Sequence, residues 1–484
     1  MSTSFAAEER HGSPRSVHPW DGNALVRRQA KILDPVAAVP ALDGSALAPT
    51  IYLPEWLLVP TDLRHDNDIA GVLARVLVAF KLAPRLSAEQ GPLTPVRLVR
   101  AENQWLERPI DAWAVRQALQ VAGANHSRPL SDKIARIGLR HLFVAQDLTG
   151  HPLLGTPGME GHHDGTGKLP VYLPQQPPAR TVLEPGLRRP VVAILDTGCC
   201  GTHPWLGRDG NDGFVDASLL PPGDNQECSP DRVNPLIGEV DSHSGHGTFL
   251  AGIVRQLAPN ARVLPVPVMS SDGTVDEAVL VQRLTELKTR VLTAQREGAT
   301  AEEVAGFVDI VLMAFGGYLE QPDASRALHD VLYELAGLGV ILIAAAGNDA
   351  TSAEIYPAAY DFVYGVGALA NSTQTAIFSN VGRSADKWAP GYAVVSTLPD
   401  CIQGSRPPSR IHPAQARAGY DPDEYWSGFG IWSGTSFAAG TFASKVAGCL
   451  LSPTVPMPPL TRVTAAEATA RRTRALCDAG GNLT

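Results

Sequence analysis

Three short, predominantly apolar runs, at residues 191–195, 308–314 (interrupted only by Asp309) and 340–346, do most to limit what this chain can fold into. Each is too short to cross a bilayer and too uniformly apolar to keep one face in water, so each reads as a strand buried on both faces. Between and beside them, residues 276–293 and 324–338 carry apolar side chains at helical spacing. Strands that alternate with helices predict a doubly wound α/β architecture with a mostly parallel sheet. Sheets of that kind build their sites at the carboxyl ends of the strands, so the residues that follow the apolar runs are the first place to look for chemistry.

A chain of 484 residues is expected to form two or three compact units. Residues 1–48 mix charge, proline and small side chains without sustained periodicity, which is the pattern of a weakly ordered leader. Residues 49–150 read as a smaller α+β N-terminal domain, with strands at 51–60, 95–101 and 135–145. Its helices are expected at 69–82, where Ile69, Val72, Leu73, Val76, Leu77 and Phe80 share a face, and at 111–121, with Asp111 near the start. Residues 151–188 are dense in proline and glycine and are expected to form an extended linker. The α/β unit follows at 189–452, with an insert at 399–432 rich in proline, arginine and glycine, and residues 453–484 form a C-terminal extension.

Apolar residues make up 44% and charged residues 18%, a balance that supports packed cores rather than wholesale disorder. The net charge of -9 offers no footprint for nucleic acid and no polybasic stretch for an anionic membrane. No basic segment followed by an apolar one opens the sequence, and no stretch nears about twenty apolar residues. The expectation is therefore a soluble, cytoplasmic protein with neither nucleic-acid nor membrane partners. The six cysteines, two of them adjacent at Cys199 and Cys200, read as free thiols rather than a disulfide framework.

Hydrolysing an amide requires a nucleophile, a base to take its proton, a carboxylate to orient the base, and donors for the developing oxyanion. Asp196 ends the first apolar run and is followed by Thr197 and Gly198, which puts its carboxylate at the carboxyl edge of the sheet. His246 lies between Gly245 and Gly247 at the start of an apolar helical pattern (Phe249, Leu250, Ile253, Val254). Ser436 likewise opens a helical pattern that runs to about residue 451. Backbone N–H groups at such a helix start lack acceptors and can bind an oxyanion. Asn348 follows the run at 340–346, and its amide is placed to serve as a second donor.

Asp196-Thr197-Gly198, His246-Gly247-Thr248, the Ala-Ala-Gly-Asn ending at Asn348 and the Gly-Thr-Ser ending at Ser436 resemble the four signature segments of the subtilisin-like peptidases. The order Asp, His, Ser also matches that family, whereas chymotrypsin-like chains place His first and α/β-hydrolases place Ser first. Further segments are similar too: His203-Pro204, Tyr356-Pro357-Ala358, Phe378-Ser379-Asn380, Ala389-Pro390-Gly391 and Ser396-Thr397. The resemblance covers roughly residues 190–452. It implies a serine endopeptidase acting on protein or peptide substrates, with Asp196, His246 and Ser436 as catalytic residues and Asn348 in the oxyanion hole. It also implies that Phe315, Gly316 and Gly317 line the substrate cleft, that no cofactor or metal is needed, although relatives often bind calcium, and that the N-terminal domain is an intramolecular inhibitor or a regulator.

The chain departs from the family pattern at Gly440, where proline is usual after the Gly-Thr-Ser-Phe-Ala-Ala stretch, and at Phe315 in the cleft strand. The 399–432 insert is expected to narrow substrate choice, as long loops beside sites often do. A rival reading is a catalytically inactive subtilisin fold that binds peptides or a partner. Taken singly, Asp196, Asn348 and Ser436 also suit turns and helix caps. His162, His163 and Asp164 read as linker polarity, and Asp209, Asn211 and Asp212 as a turn rather than a calcium loop.

Overall fold

The computed structural model describes residues 28–33, 47–87, 91–106, 108–145, 168–174, 176–183, 188–207, 213–220, 227, 232–234, 239–402, 425–451 and 468. His162, His163, Asp164, Asp209, Asn211, Asp212 and most of the 399–432 insert lie outside them.

The chain first builds an antiparallel sheet with helices on it. In order these are β1 (Thr50–Pro60), α1 (Asn67–Ala79), β2 (Leu82–Leu86), β3 (Leu93–Arg100), α2 (Ala112–Ala124), α3 (Arg128–Ala135) and β4 (Gly138–Ala145). β1 pairs with β3 and β4, and β3 with β2. Asp66 caps α1 by accepting the N–H groups of Asp68 and Ile69, and Asp111 caps α2 through the N–H of Trp113. The helix expected over 69–82 stops earlier: Lys81 turns into the left-handed region at φ 59°, and Leu82 opens the next strand. The strand expected from 135 starts at Gly138 because α3, with Pro129 in its first turn, takes the preceding residues. Tyr52, Leu57, Val72, Leu77, Leu98, Val115 and Leu119 meet in one core between sheet and helices.

The second layer contains β5 (Val191–Asp196), α4 (His246–Leu257), β6 (Arg262–Pro267), β7 (Thr274–Asp276), α5 (Glu277–Gln295), β8 (Ile310–Met313), β9 (Phe315–Gly316), α6 (Arg326–Gly337), β10 (Ile341–Ala345), β11 (Tyr364–Leu369), β12 (Lys387–Pro390), β13 (Val394–Thr397), β14 (Phe429–Trp432) and α7 (Thr435–Leu450). β6, β5, β8, β10, β11 and β12 lie side by side in that order, and every pairing is parallel. The three apolar runs are its three adjacent central strands, β5, β8 and β10. Alternate residues of β5 serve opposite cores: Val191, Ala193 and Leu195 join Leu284 and Leu332 on one face. Val192 and Ile194 join Phe249, Phe442 and Val446 on the other. Burial on both faces is why Val191–Leu195, Ile310–Met313 and Ile341–Ala345 carry no polar residue; Asp309 stands just before β8.

The two layers share strands. Beyond its pairing with β1, β4 continues between β7 and β9: Val144 pairs with Thr274 on one side and Gly316 on the other, and the Ala145 N–H donates to the Gly273 carbonyl at 2.9 Å. Part of the stretch expected as linker is packed as well. Leu169 and Pro170 form a short strand on β14, and Lys168 beside it is buried. Cys199, Cys200 and Cys449 are not disulfide-bonded, but Cys401 is, which corrects the reading of all six as thiols. The spacing of the cysteines along the sequence carries no framework pattern that would reveal this bond. No described helix is long and apolar enough to cross a membrane.

The starts of β5 and β8 are tied by a buried ion pair. The Arg188 guanidinium donates to both Asp309 oxygens at 2.6 Å, and the Val191 N–H donates to the same carboxylate at 2.9 Å. Asp309→Ala strands a buried guanidinium and is expected to destabilise the chain by about 3–5 kcal/mol, read as a lowered urea midpoint.

Candidate active site

β5 delivers Asp196 to the carboxyl edge of the sheet, between β6 on one side and β8 on the other, where the strand order reverses direction. Its buried carboxylate accepts the Thr197 N–H at 2.8 Å and lies with both oxygens 2.9 Å from Nδ1 of His246. Nδ1 therefore faces the carboxylate and Nε2 points away from it. His246 is the first residue of α4, entered through Gly245 at φ 85°. Gly247 is required by contact: a Cβ there would stand 2.2 Å from the Gly198 carbonyl oxygen. The helix is held by β13, where Ser396 and Thr397 hydroxyls donate to the Phe249 and Thr248 carbonyls at 2.7 and 2.8 Å. The Ser-Thr segment singled out in the sequence thus anchors the helix that carries His246.

Ser436 is the second residue of α7, fully buried, and its hydroxyl donates to the Ala314 carbonyl at 2.8 Å. The next residue, Phe437, packs against the His246 ring at 5.3 Å between centroids, and Trp432 meets that ring edge-on at 5.4 Å. Gly440 has a packing role: a Cβ there would lie 2.9 Å from Leu250 Cδ2, so glycine lets α7 approach α4 closely.

Asn348 follows β10 after Gly347, whose φ is 103°. Its Oδ1 accepts the Thr435 N–H at 3.0 Å, and the Gly347 N–H donates to the Thr435 hydroxyl at 3.1 Å. The turn is fixed from behind by Asn380, whose Oδ1 accepts the N–H groups of Asp349 and Thr351. Asn348 Nδ2 is buried and makes no hydrogen bond among the described residues. An unsatisfied buried amide costs free energy unless a ligand supplies the acceptor.

Phe315 and Gly316 form β9, and Gly317 exchanges backbone hydrogen bonds with Tyr356 at 2.9 Å. Here β4 fills the position between β7 and β9, with the Phe143 ring against that of Phe315 at 6.4 Å.

Sequence reasoning did not single out Glu227. It is buried, receives the Thr197 hydroxyl, and accepts the Gly245 N–H. Burial, reinforced by the charge of Asp196, pushes its carboxyl from 4.5 up to about 7 despite those donors. It lies in a stretch with neither periodicity nor motif, so only coordinates bring it to the site. His203, from the His-Pro segment, accepts the Trp205 N–H on Nδ1 and donates from Nε2 to the Gly428 carbonyl at 2.8 Å; burial pulls it down to about 4 and keeps it neutral. Cys200, Asp400 and Cys401 come together as potential metal ligands, but a disulfide sulfur at Cys401 is no thiolate donor.

The sequence profile of the Subtilase family matches residues 188–480, more than half of the chain. Subtilisin NAT of Bacillus subtilis subsp. natto is 30% identical over 227 residues, which is 44% of this chain and 50% of that protein. The Major intracellular serine protease of Bacillus subtilis (strain 168) is 29% identical over 224 residues, 43% of this chain and 60% of that protein. A solved cold adapted subtilisin-like serine proteinase aligns with a TM-score of 0.37 and 19% identity, covering 60% of this chain and 85% of that one. The chain spans about half the length of the first of these relatives. It belongs to the subtilase family.

Gly247→Ala is expected to push α4 away from Gly198 and separate His246 from Asp196. A lowered melting temperature, together with loss of the downfield imidazole proton resonance of an Asp-paired histidine, would register it.

Proposed function

We propose that the chain is a serine endopeptidase that cleaves protein or peptide substrates through Asp196, His246 and Ser436, without a metal or organic cofactor. The observation that carries this reading is the His246 imidazole held by both Asp196 oxygens at 2.9 Å, beside the helix that begins with Thr435 and Ser436. Asp196 fixes the tautomer with a proton on Nδ1, so Nε2 is the basic nitrogen. For reaction the Ser436 hydroxyl leaves the Ala314 carbonyl and presents its proton to Nε2, an adjustment of the kind that substrate arrival brings to apo sites. The serine oxygen attacks the substrate carbonyl and its proton passes to His246. His246 then protonates the leaving amine, and water releases the acyl group by the same route. The oxyanion is received by Asn348 Nδ2, which has no other acceptor among the described residues, and by the N–H of Ser436 at the open start of α7.

The N-terminal layer is proposed to be an intramolecular inhibitor. Residues 142–145 run as an added strand between β7 and β9, the place where a substrate main chain pairs in β-augmentation. Ala145 pairs with Phe315, the neighbour of the Ala314 that accepts from Ser436. A buried charge network secures the layer. His141 lies 2.5 Å from Glu277 and 2.9 Å from Glu320, and Arg116 donates to Glu320 at 3.0 Å. Burial alone would lower the His141 imidazole from 6.5, but Glu320 and Glu277 outweigh it and hold it up to about 10. Burial would raise Glu320 from 4.5, yet His141 and Arg116 hold it down to about 2. The His141 contribution is complete below about 6.5 and fades as pH rises through about 10. The Glu320 contribution is complete above about 4.5 and fades as pH falls toward about 2.

A partner-binding protein without activity is the second reading, favoured by one observation: Asp196, His246 and Ser436 are all fully buried. Fluorophosphonate labelling separates the two. Labelling that disappears in Ser436→Ala supports the peptidase, and a chain that never labels supports the binder. Asn348→Ala should lower kcat by about 10²–10³-fold, the effect that removal of the equivalent side-chain donor has in subtilisin itself. Val144→Pro removes an N–H and should loosen β4 from the cleft, giving the full chain faster hydrolysis of a peptide substrate. An unchanged rate would leave β4 without an inhibitory role.

A further inference from the structure

One hydroxyl stands between two buried carboxylates at the candidate site. Thr197 Oγ1 contacts Glu227 Oε1, lies 3.2 Å from Asp196 Oδ1 and accepts the Gly247 N–H at 3.0 Å. A hydroxyl has one proton to donate and two lone pairs. With both carboxylates ionised, only one of them can receive that proton. With Glu227 protonated, every group is satisfied: Glu227 donates to Thr197, Gly247 N–H fills the second lone pair, and the Thr197 proton turns to Asp196. Glu227 also takes the Gly245 N–H, so it bridges the end of β5 and the start of α4, the two elements that carry Asp196 and His246.

We propose that Glu227 is a positioning residue which, as a neutral carboxylic acid, turns the Thr197 hydroxyl onto Asp196 and thereby fixes the carboxylate that orients His246. The inference rests on the triad reading above. Groups facing Glu227 are Asp196 and Thr197 from the end of β5, and Gly245 and His246 from the start of α4. Further along that approach, the Lys168 ammonium donates to the Ser242 and Ser244 carbonyls, and the His243 ring lies 6.1 Å from that of His246. Burial and the Asp196 charge leave the Glu227 carboxyl near neutrality, at about 7. When it loses its proton, Asp196 loses the Thr197 donor and a second anion sits near the imidazole. That charge favours protonated His246, so the basic form of the histidine appears at higher pH than one carboxylate alone would allow.

The experiment is the rate of fluorophosphonate labelling of Ser436 in the full chain as a function of pH. Glu227→Gln keeps the donor and removes the ionisation, so its acid limb should move down by about half a pH unit or more and follow a single ionisation. Thr197→Val should label several-fold more slowly, while Thr197→Ser, which keeps the hydroxyl, should match the original chain. An acid limb unmoved in Glu227→Gln, or equal rates for the valine and serine variants, would overturn the assignment. Folding is controlled separately. A group whose pKa rises on folding costs stability as pH climbs from about 4.5 to about 7, so Glu227→Gln should melt no lower than the original chain above that range. Should that variant fail to fold, the Thr197 pair decides alone. Labelling that survives Ser436→Ala, or no labelling of the original chain, would instead overturn the triad reading and the Glu227 role with it.

Discussion

The contact between the Asp196 carboxylate and Nδ1 of His246 is the constraint around which the second layer is arranged. Both oxygens at 2.9 Å leave the ring little rotational freedom, so everything that positions either partner bears on the site. A buried strand ends at the carboxylate, and a helix held by Ser396 and Thr397 begins at the imidazole. Glycines at 245 and 247 let the two elements come within hydrogen-bonding range, where any Cβ would collide with Pro399 or with the Gly198 backbone.

The same economy of small residues explains the departure at Gly440. α4 and α7 carry the imidazole and the hydroxyl, and the distance between their axes sets the distance between those groups. Glycine at 440 faces Leu250 and shortens it. Close packing of two helices through a glycine is a different solution from a proline at that position, but it acts on the same quantity.

The N-terminal layer is tied to the second layer by backbone pairing and by charge. β4 is hydrogen-bonded to β7 and β9, and the His141, Glu277, Glu320 and Arg116 groups are buried at the same junction. Such charges are costly to separate, because each would be left without its partner in a low-dielectric setting. Their sequence positions, 141, 277, 320 and 116, carry no pattern that would predict the junction.

The α/β sheet was readable from sequence because its three central strands must be apolar on both faces, and such runs are hard to mistake. Asp196, His246, Asn348 and Ser436 stand out in the sequence as candidates for a local reason: strand exits and glycine-flanked helix starts leave short motifs. Helix α1 was over-extended because a left-handed Lys81 has no signature in apolar spacing. What only the tertiary structure decided is long-range: the insertion of β4 between β7 and β9, the disulfide at Cys401, the burial of Lys168, and the arrival of Glu227 beside Thr197. Local sequence determines which backbone segments form and where their ends present polar groups. Which ends meet depends on how buried surfaces pack, and that is a property of the whole chain.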